Sequence, residues 1–202
     1  HDFDILALAE TFLNENITNN QIHINGYNFF RKDRVGRTGG GVAIYVREGI
    51  NVIPVEALNS SEIEALWLKV KVPNQAPLLV CSMYRPPSAN TEYYEQMLEI
   101  IDASLNISDN IIILGDLNYD YVVDESLSKN PINYIENLYS LNQLIYTPTR
   151  VTPTTSTTLD VILTSIPDDH IKTSVIKVSL SDHYMISTEV KFMKSVQKHR
   201  TI

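Results

Sequence analysis

Seven polar residues stand where apolar, strand-like runs begin or stop. Glu10 follows Ala7-Leu8-Ala9, and Tyr84 follows Cys81-Ser82-Met83. Asp116 and Asn118 follow Ile111-Ile112-Ile113-Leu114-Gly115, Asp160 heads the run Leu159–Leu163, and Asp182-His183 precede Tyr184–Phe192. Each has an ordinary structural reading: Glu10 as the start of a surface helix, Asp116-Leu117-Asn118 as an Asx-type turn, Asp160 as a turn cap, Ser181-Asp182-His183 as a polar loop. Carboxylate and amide groups at the end of a buried strand are costly unless they bind something, and their recurrence at strand boundaries fits one converging site. The chemistry such a set supports is metal-assisted hydrolysis. Glu10 and Asp182 offer hard carboxylate oxygens, which suit Mg²⁺ and not zinc. His183 is the natural general base for a water molecule, and Asp160 could fix its tautomer. Asn118 and Tyr84 can hold a phosphate as neutral hydrogen-bond donors. No Walker-type loop is present, because Gly39-Gly40-Gly41 lacks a following Gly-Lys-Ser/Thr. One cysteine and five dispersed histidines argue against a zinc centre.

The elements that must position these residues can be read from periodicity. Ile5–Ala9 is an apolar strand, and the three glycines form a turn or bulge feeding a strand from Val42. Glu64–Val72 alternates as a half-buried strand with Ala65, Trp67 and Lys69 on one side, and Leu78–Tyr84 is the next strand, broken by Arg85-Pro86-Pro87. Thr91–Leu105 has helical spacing of Tyr94, Met97, Leu98, Ile101 and Leu105, with Thr91 as N-cap, and Ile132–Leu141 reads as a second helix. Ile111–Leu114 is a fully buried strand, and Leu159–Leu163 and Tyr184–Phe192 are the last two. Thr147–Thr158 is a long Thr/Pro-rich loop of the kind that carries function. Many strands with two intervening helices predict an α/β or α+β layered sandwich.

Composition bounds the rest. A chain of 202 residues, 44% hydrophobic, forms one core, or two at most, and no linker divides it. The lone Cys81 permits no disulfide framework and suits a reducing compartment. No apolar stretch is long enough to cross a bilayer, so no membrane partner is expected. A net charge of -8 disfavours polyanion binding over the whole surface. Basic residues are nevertheless clustered: Arg31, Lys32, Arg34, Arg37 and Arg47 near the glycines, and Lys191, Lys194, Lys198, His199 and Arg200 at the end. Such clusters are either solvated faces or a local groove for a phosphate chain.

In their order, Leu8-Ala9-Glu10-Thr11, Tyr84-Arg85-Pro86-Pro87, Gly115-Asp116-Leu117-Asn118, Leu159-Asp160 and Ser181-Asp182-His183 resemble the exonuclease–endonuclease–phosphatase superfamily. Gly39–Tyr45 and the block from Thr147-Pro148-Thr149-Arg150 to Thr158-Leu159-Asp160 resemble its apurinic-endonuclease-like branch in non-LTR retrotransposons, and Lys198–Ile202 resembles the link into a reverse transcriptase. The resemblance implies a DNase I-like four-layered α/β sandwich, two facing mixed sheets flanked by helices, with the site at the top of the sheets. By position, Glu10 would bind the metal, Mg²⁺ with Mn²⁺ as an alternative. Asp116 and Asn118 would position water and scissile phosphate, Tyr84 would touch the phosphate, Asp160 would orient His183, and Asp182 would join the metal and histidine network. Whether Asp116 or His183 takes the proton stays open. Arg85, Thr157 and Arg37 are the implied phosphate or DNA contacts.

The implied activity is Mg²⁺-dependent nicking of DNA to prime reverse transcription, inside the cell and in the nucleus at the site of action, with DNA and a reverse transcriptase of the same polyprotein as partners. The superfamily domain begins with an asparagine-bearing strand and a helix that do not occur between His1 and Ile5. Residues 1–193 are therefore expected to form the domain without them, residues 194–202 to start a linker, and nicking by this chain to be weak or absent. The alternatives are an inactive remnant acting at most as a binding module, and a phosphatase on inositol phosphates or lipids.

Overall fold

The structure, a computed structural model, describes residues 3–60, 62–121, 130–178 and 181–192. In chain order its strands are β1 (Ile5–Ala9), β2 (Tyr27–Lys32), β3 (Val42–Arg47), β4 (Val52–Pro54), β5 (Ala65–Val70), β6 (Leu78–Tyr84), β7 (Asn110–Asp116), β8 (Asn142–Gln143), β9 (Arg150–Val151), β10 (Ser156–Thr157), β11 (Asp160–Thr164), β12 (Ile171–Ile176) and β13 (Met185–Val190). The helices are α1 (Glu56–Asn59), α2 (Thr91–Leu105) and α3 (Pro131–Tyr139).

The central sheet has the order β4-β5-β6-β7-β11-β8. Only β6 and β7 run parallel, which requires a crossover, and α2 supplies it. Alternate residues of the sheet serve two different layers. Cys81, Met83, Ile111, Ile113 and Val161 pack with Met97 and Ile101 of α2 and Ile132 and Ile135 of α3. On the other face, Leu66, Leu68 and Tyr84 meet Val42, Ile44 and Val46, while Val80, Ile112 and Ile162 meet Ile171 and Ile186. A sheet covered on both faces needs apolar residues at every position, which explains the unbroken Ile111–Leu114 run. It also corrects the reading of Glu64–Val72 as half-buried: Ala65 and Trp67 face the helices and Leu66 and Leu68 face the second layer, all of them buried.

The second layer consists of an antiparallel sheet, β1-β3-β2, and a separate hairpin, β12-β13. On its outer side Tyr45 stacks on Phe29 with ring centroids 4.5 Å apart and donates to the carbonyl of Ile22, at the end of the 3-10 turn Asn19–Ile22. Helices, two strand layers and this turn-bearing cover make the α/β sandwich. Among the described residues, β1 is paired only with β3 and β13 only with β12. Their free edges line one cavity of about 600 Å³, floored by Val80, Ile112 and Leu114.

Several boundaries differ from the sequence reading. The cap of α2 is Asn90, whose side chain accepts from the Tyr93 amide at 3.0 Å, and Thr91 is the first helical residue. Helix α3 starts at Pro131 after an Asn130 cap and stops at Tyr139, because Ser140 turns left-handed. The Thr147–Thr158 loop folds back as the β9–β10 pair. Strands β2, β4 and β12 form in segments whose sequence showed no strand pattern; Lys172, Thr173 and Ser174 of β12 are exposed. No helix among the described residues is long and apolar enough to cross a membrane. The basic residues Lys194, Lys198, His199 and Arg200, with the linker expected over 194–202, lie outside the described residues.

Candidate active site

Strand register alone brings three of the site residues into a row. Tyr84 on β6 is the parallel partner of Asp116 on β7, and Asp116 is the antiparallel partner of Asp160 on β11. All three belong to the alternating set that faces the second layer, so their side chains emerge together at one end of the gap between the layers. Strand β1 crosses over β6 and β7 and delivers Glu10 at its end. The Tyr84 hydroxyl donates to Glu10 Oε1 at 2.9 Å. Opposite, His183 Nδ1 lies 2.9 Å from Asp160 Oδ2, leaving Nε2 free to handle a proton.

The turn after β7 is local chemistry. Gly115 has φ 152 and lies against the Met83 carbonyl of β6, where an added Cβ would collide. Asn118 is left-handed at φ 51, its amide donates to Asp116 Oδ1 at 2.9 Å, and its side-chain nitrogen donates to the Arg85 carbonyl at 2.9 Å. The Asx turn and the site are thus one object: the turn fixes both carboxylate and amide.

Asp160 is fixed from the other side by Thr149. Fully buried, the Thr149 hydroxyl accepts from the amides of Leu159 and Asp160, each at 3.1 Å. The backbone of the same loop pairs with the histidine segment: Tyr184 N donates to Thr149 O at 2.6 Å, and Arg150 bridges His183. The Thr/Pro-rich loop therefore serves as the clamp that sets Asp160 and His183 together.

Electrostatics follow from this crowding. Burial first, and then Asp160 and Glu10, raise the Asp116 carboxyl to about 6. The hydrogen bond that His183 donates to Asp160 raises the histidine above its ordinary value, against desolvation. Burial and the Glu10 hydrogen bond raise the Tyr84 phenol, so it stays a neutral donor at any working pH. Asp182 is lowered chiefly by its hydrogen bond with Arg150.

The other expected contacts are placed differently. Asp182 is half exposed and its Oδ2 accepts from Arg150 Nε at 2.8 Å, so its carboxylate faces a cation of the chain itself. The Arg85 side chain is buried, stacks 4.0 Å from the Tyr119 ring centroid and donates to the Ala89 carbonyl. Thr157 lies on β10 opposite Arg150, and Arg37 is exposed in the loop before the glycines. Most of the basic cluster there is engaged locally: Arg31 with Asp33, Arg47 with Asp4, Lys32 with the Ile63 carbonyl, and Arg34 with Glu64. Arg34 lies over the Tyr84 ring, 5.6 Å from its centroid, so this pair supports the tyrosine from below. Gly40 makes that approach possible, since a Cβ there would meet both Arg34 and Glu64. Thr149, Arg150 and the Arg34–Glu64 pair were not distinguished as site residues by sequence; the signal for the first two was a lone cation inside the Thr/Pro block.

Among the described residues no three His, Cys, Asp or Glu side chains converge into a ready-made metal cage. The donor set fits a hard divalent cation nonetheless. Glu10 and Asp116 are oxygen donors, and Glu10 lies close enough to add to the raised Asp116 carboxyl, a repulsion that a cation relieves; Mg²⁺ commonly binds through one or two carboxylates plus water.

The sequence matches the Endonuclease/Exonuclease/phosphatase family over residues 1–183. The chain belongs to the endonuclease/exonuclease/phosphatase family. Solved members share its fold. The endonuclease domain of TRAS1, a telomere-specific non-LTR retrotransposon, is 19% identical with a TM-score of 0.67, over 85% of this chain and 83% of that one. A 3′-5′ exonuclease (NExo) from Neisseria meningitidis is 15% identical with a TM-score of 0.65, over 94% and 90%. ANGEL2, a 2′,3′-cyclic phosphatase, is 16% identical with a TM-score of 0.56, over 93% and 74%. No match to a curated protein sequence was found. The family's DNase I-like architecture, two facing sheets with helices packed outside, is the one described above, and its nucleases and phosphatases are hydrolases that generally use divalent metal ions.

Proposed function

We propose that this chain is a Mg²⁺-dependent DNA endonuclease of a non-LTR retrotransposon that nicks one strand of its target and leaves a 3′-hydroxyl for reverse transcription. The observation that carries this reading is the Asp160–His183 pair standing beside Asp116, with Tyr84 on β6 and Glu10 at the end of β1 on the far side. A base and an acidic metal-binding flank on opposite sides of one strand end suit in-line attack of water on a phosphodiester.

Asp160 holds His183 by Nδ1, so Nε2 accepts the proton from water. Asn118 donates to a phosphate oxygen, and the Tyr84 hydroxyl, held by Glu10 in the resting site, would turn to a second phosphate oxygen when a cation occupies Glu10. A bound cation would be held by Glu10 and Asp116 and would polarise the phosphate and neutralise that charge. The TRAS1 likeness favours a retrotransposon origin and DNA as substrate, and the reverse transcriptase would lie in the same polyprotein. Among the described residues β1 is paired along one edge only, so the Glu10 strand rests on β3 and on the sheet beneath it, and slow turnover is expected.

Conversion of supercoiled plasmid to open circle, accumulated over hours with Mg²⁺ or Mn²⁺ and with EDTA, tests the reading. Metal-dependent nicks that a polymerase extends from their 3′ ends, lost in His183→Ala and Glu10→Ala, are the expected result. Absence of nicking by the wild-type chain at any metal concentration, or nicking that persists in His183→Ala, would overturn it.

A further inference from the structure

A site with Glu10, Asp116, Asp160 and Asp182 at its rim is strongly anionic, and a phosphodiester entering it needs a cation to meet. Two of the arginines near Tyr84 and Asp116 are already engaged. Arg34 is paired with Glu64 under the Tyr84 ring, and Arg85 is buried against Tyr119 and the Ala89 carbonyl. Arg150 differs. Its side chain is 43% exposed, and its one carboxylate partner, Asp182, is 46% exposed. Its backbone is held on two sides, by Thr157 across the β9–β10 pair and by the bridge to His183. The neighbouring Thr149 anchors the Asp160 amide. A half-exposed guanidinium is thus mounted on a fixed platform beside the proton-accepting histidine. Its charge is held chiefly by Asp182, with Asp116 and Glu10 adding to the same effect.

We propose that Arg150 is the phosphate-binding residue of this site, its guanidinium exchanging the Asp182 carboxylate for two oxygens of the DNA backbone beside His183. An exposed ion pair is weak and screened by salt, whereas a guanidinium and a phosphate can pair through two parallel hydrogen bonds. The exchange also releases Asp182 as substrate arrives. The assignment rests on the nuclease reading above.

Binding of a fluorescent duplex oligonucleotide, read by anisotropy in EDTA across a salt series, tests the assignment apart from catalysis. Arg150→Ala should weaken binding by about tenfold or more and reduce the slope of log K against log[salt] by about 1. Arg150→Lys should keep the slope and recover only part of the affinity, because an ammonium lacks the planar fork. Asp182→Asn should tighten binding, since it frees Arg150. If Arg150 merely holds Asp182 and the His183 segment in place, Arg150→Ala and Asp182→Asn will weaken binding equally, and the assignment fails. It fails also if Arg150→Ala binds like the wild type while the wild type binds and nicks, an outcome that leaves the nuclease reading standing. A wild-type chain that neither binds nor nicks DNA overturns both. Thermal melts accompany each variant; if Arg150→Ala does not fold, Arg150→Gln carries the same expectations.

Discussion

At the scale of single residues, the site is defined by how each titratable group is shifted and by what. His183 is raised above 6.5 chiefly by its hydrogen bond with Asp160. A base must be neutral to act, so nicking should rise with pH through a midpoint above 6.5. Asp160→Asn removes the main cause and should move that midpoint down towards 6.5 while lowering the rate; an unmoved midpoint in the pH–rate profile would show that His183 is not the group being read. Asp116 is raised from 3.8 to about 6, mainly by burial. In its case the folded chain holds the proton more tightly than the unfolded one, so its contribution to stability is complete below about pH 4 and is lost as pH rises through about 6. Two pKa units correspond to about 3 kcal/mol. Urea unfolding of Asp116→Asn in EDTA should therefore show a gain of up to about that size at pH 8 and almost none at pH 4. A variant no more stable than the wild type at pH 8 contradicts this. Glu10, Asp116, Asp160 and His183 could be selected from the sequence because each interrupts or borders an apolar run. Arg85 could not be placed, because a buried arginine stacked on Tyr119 and a surface arginine look alike in a string of letters.

At the scale of elements, short-range chemistry was readable and long-range pairing was not. The strand Ile111–Leu114, the crossover helix and the turn at Gly115–Asn118 are local patterns. The row Tyr84–Asp116–Asp160 depends on the register between β6, β7 and β11, whose partners are 32 and 44 positions apart, and periodicity carries no register. Strand β12 is polar on its exposed positions and aligns only because β13 pairs with it. Gly115 is the point where register and site meet. At φ 152, with β6 backbone where a side chain would begin, Gly115→Ala must push β6 and β7 apart. A loss of at least about 1–3 kcal/mol is expected from the backbone conformation alone. The melting temperature should fall by several degrees, and the row of side chains should be displaced; a variant that melts and nicks like the wild type would show that the strands tolerate the gap.

At the scale of the whole molecule, six strands on one side face five on the other, the five divided into a sheet and a hairpin. The layered sandwich was readable from many strands with two intervening helices, whereas the division was not, because it is a property of edges that no single segment displays. Its consequence is an odd–even rhythm in solvent protection. The Arg47 amide donates to Asp4 and the Lys191 amide to His170, and antiparallel alternation carries these bonds outward in steps of two. Leu6 and Leu8 are then tied to β3, and Ser187 and Glu189 to β12, while the amides of Ile5, Ala7, Ile186 and Thr188 point into the cavity between the two edges. Residue-resolved hydrogen–deuterium exchange should alternate along both strands, with the inward-pointing amides exchanging first. Uniform protection along β1 would mean that the edge is closed. Among the described residues two such rows of amides and carbonyls stand face to face without a strand between them, like an open zipper: colloidal behaviour then depends on concentration, since any extended peptide that enters the gap, including a neighbour's, finds hydrogen-bond partners on both sides.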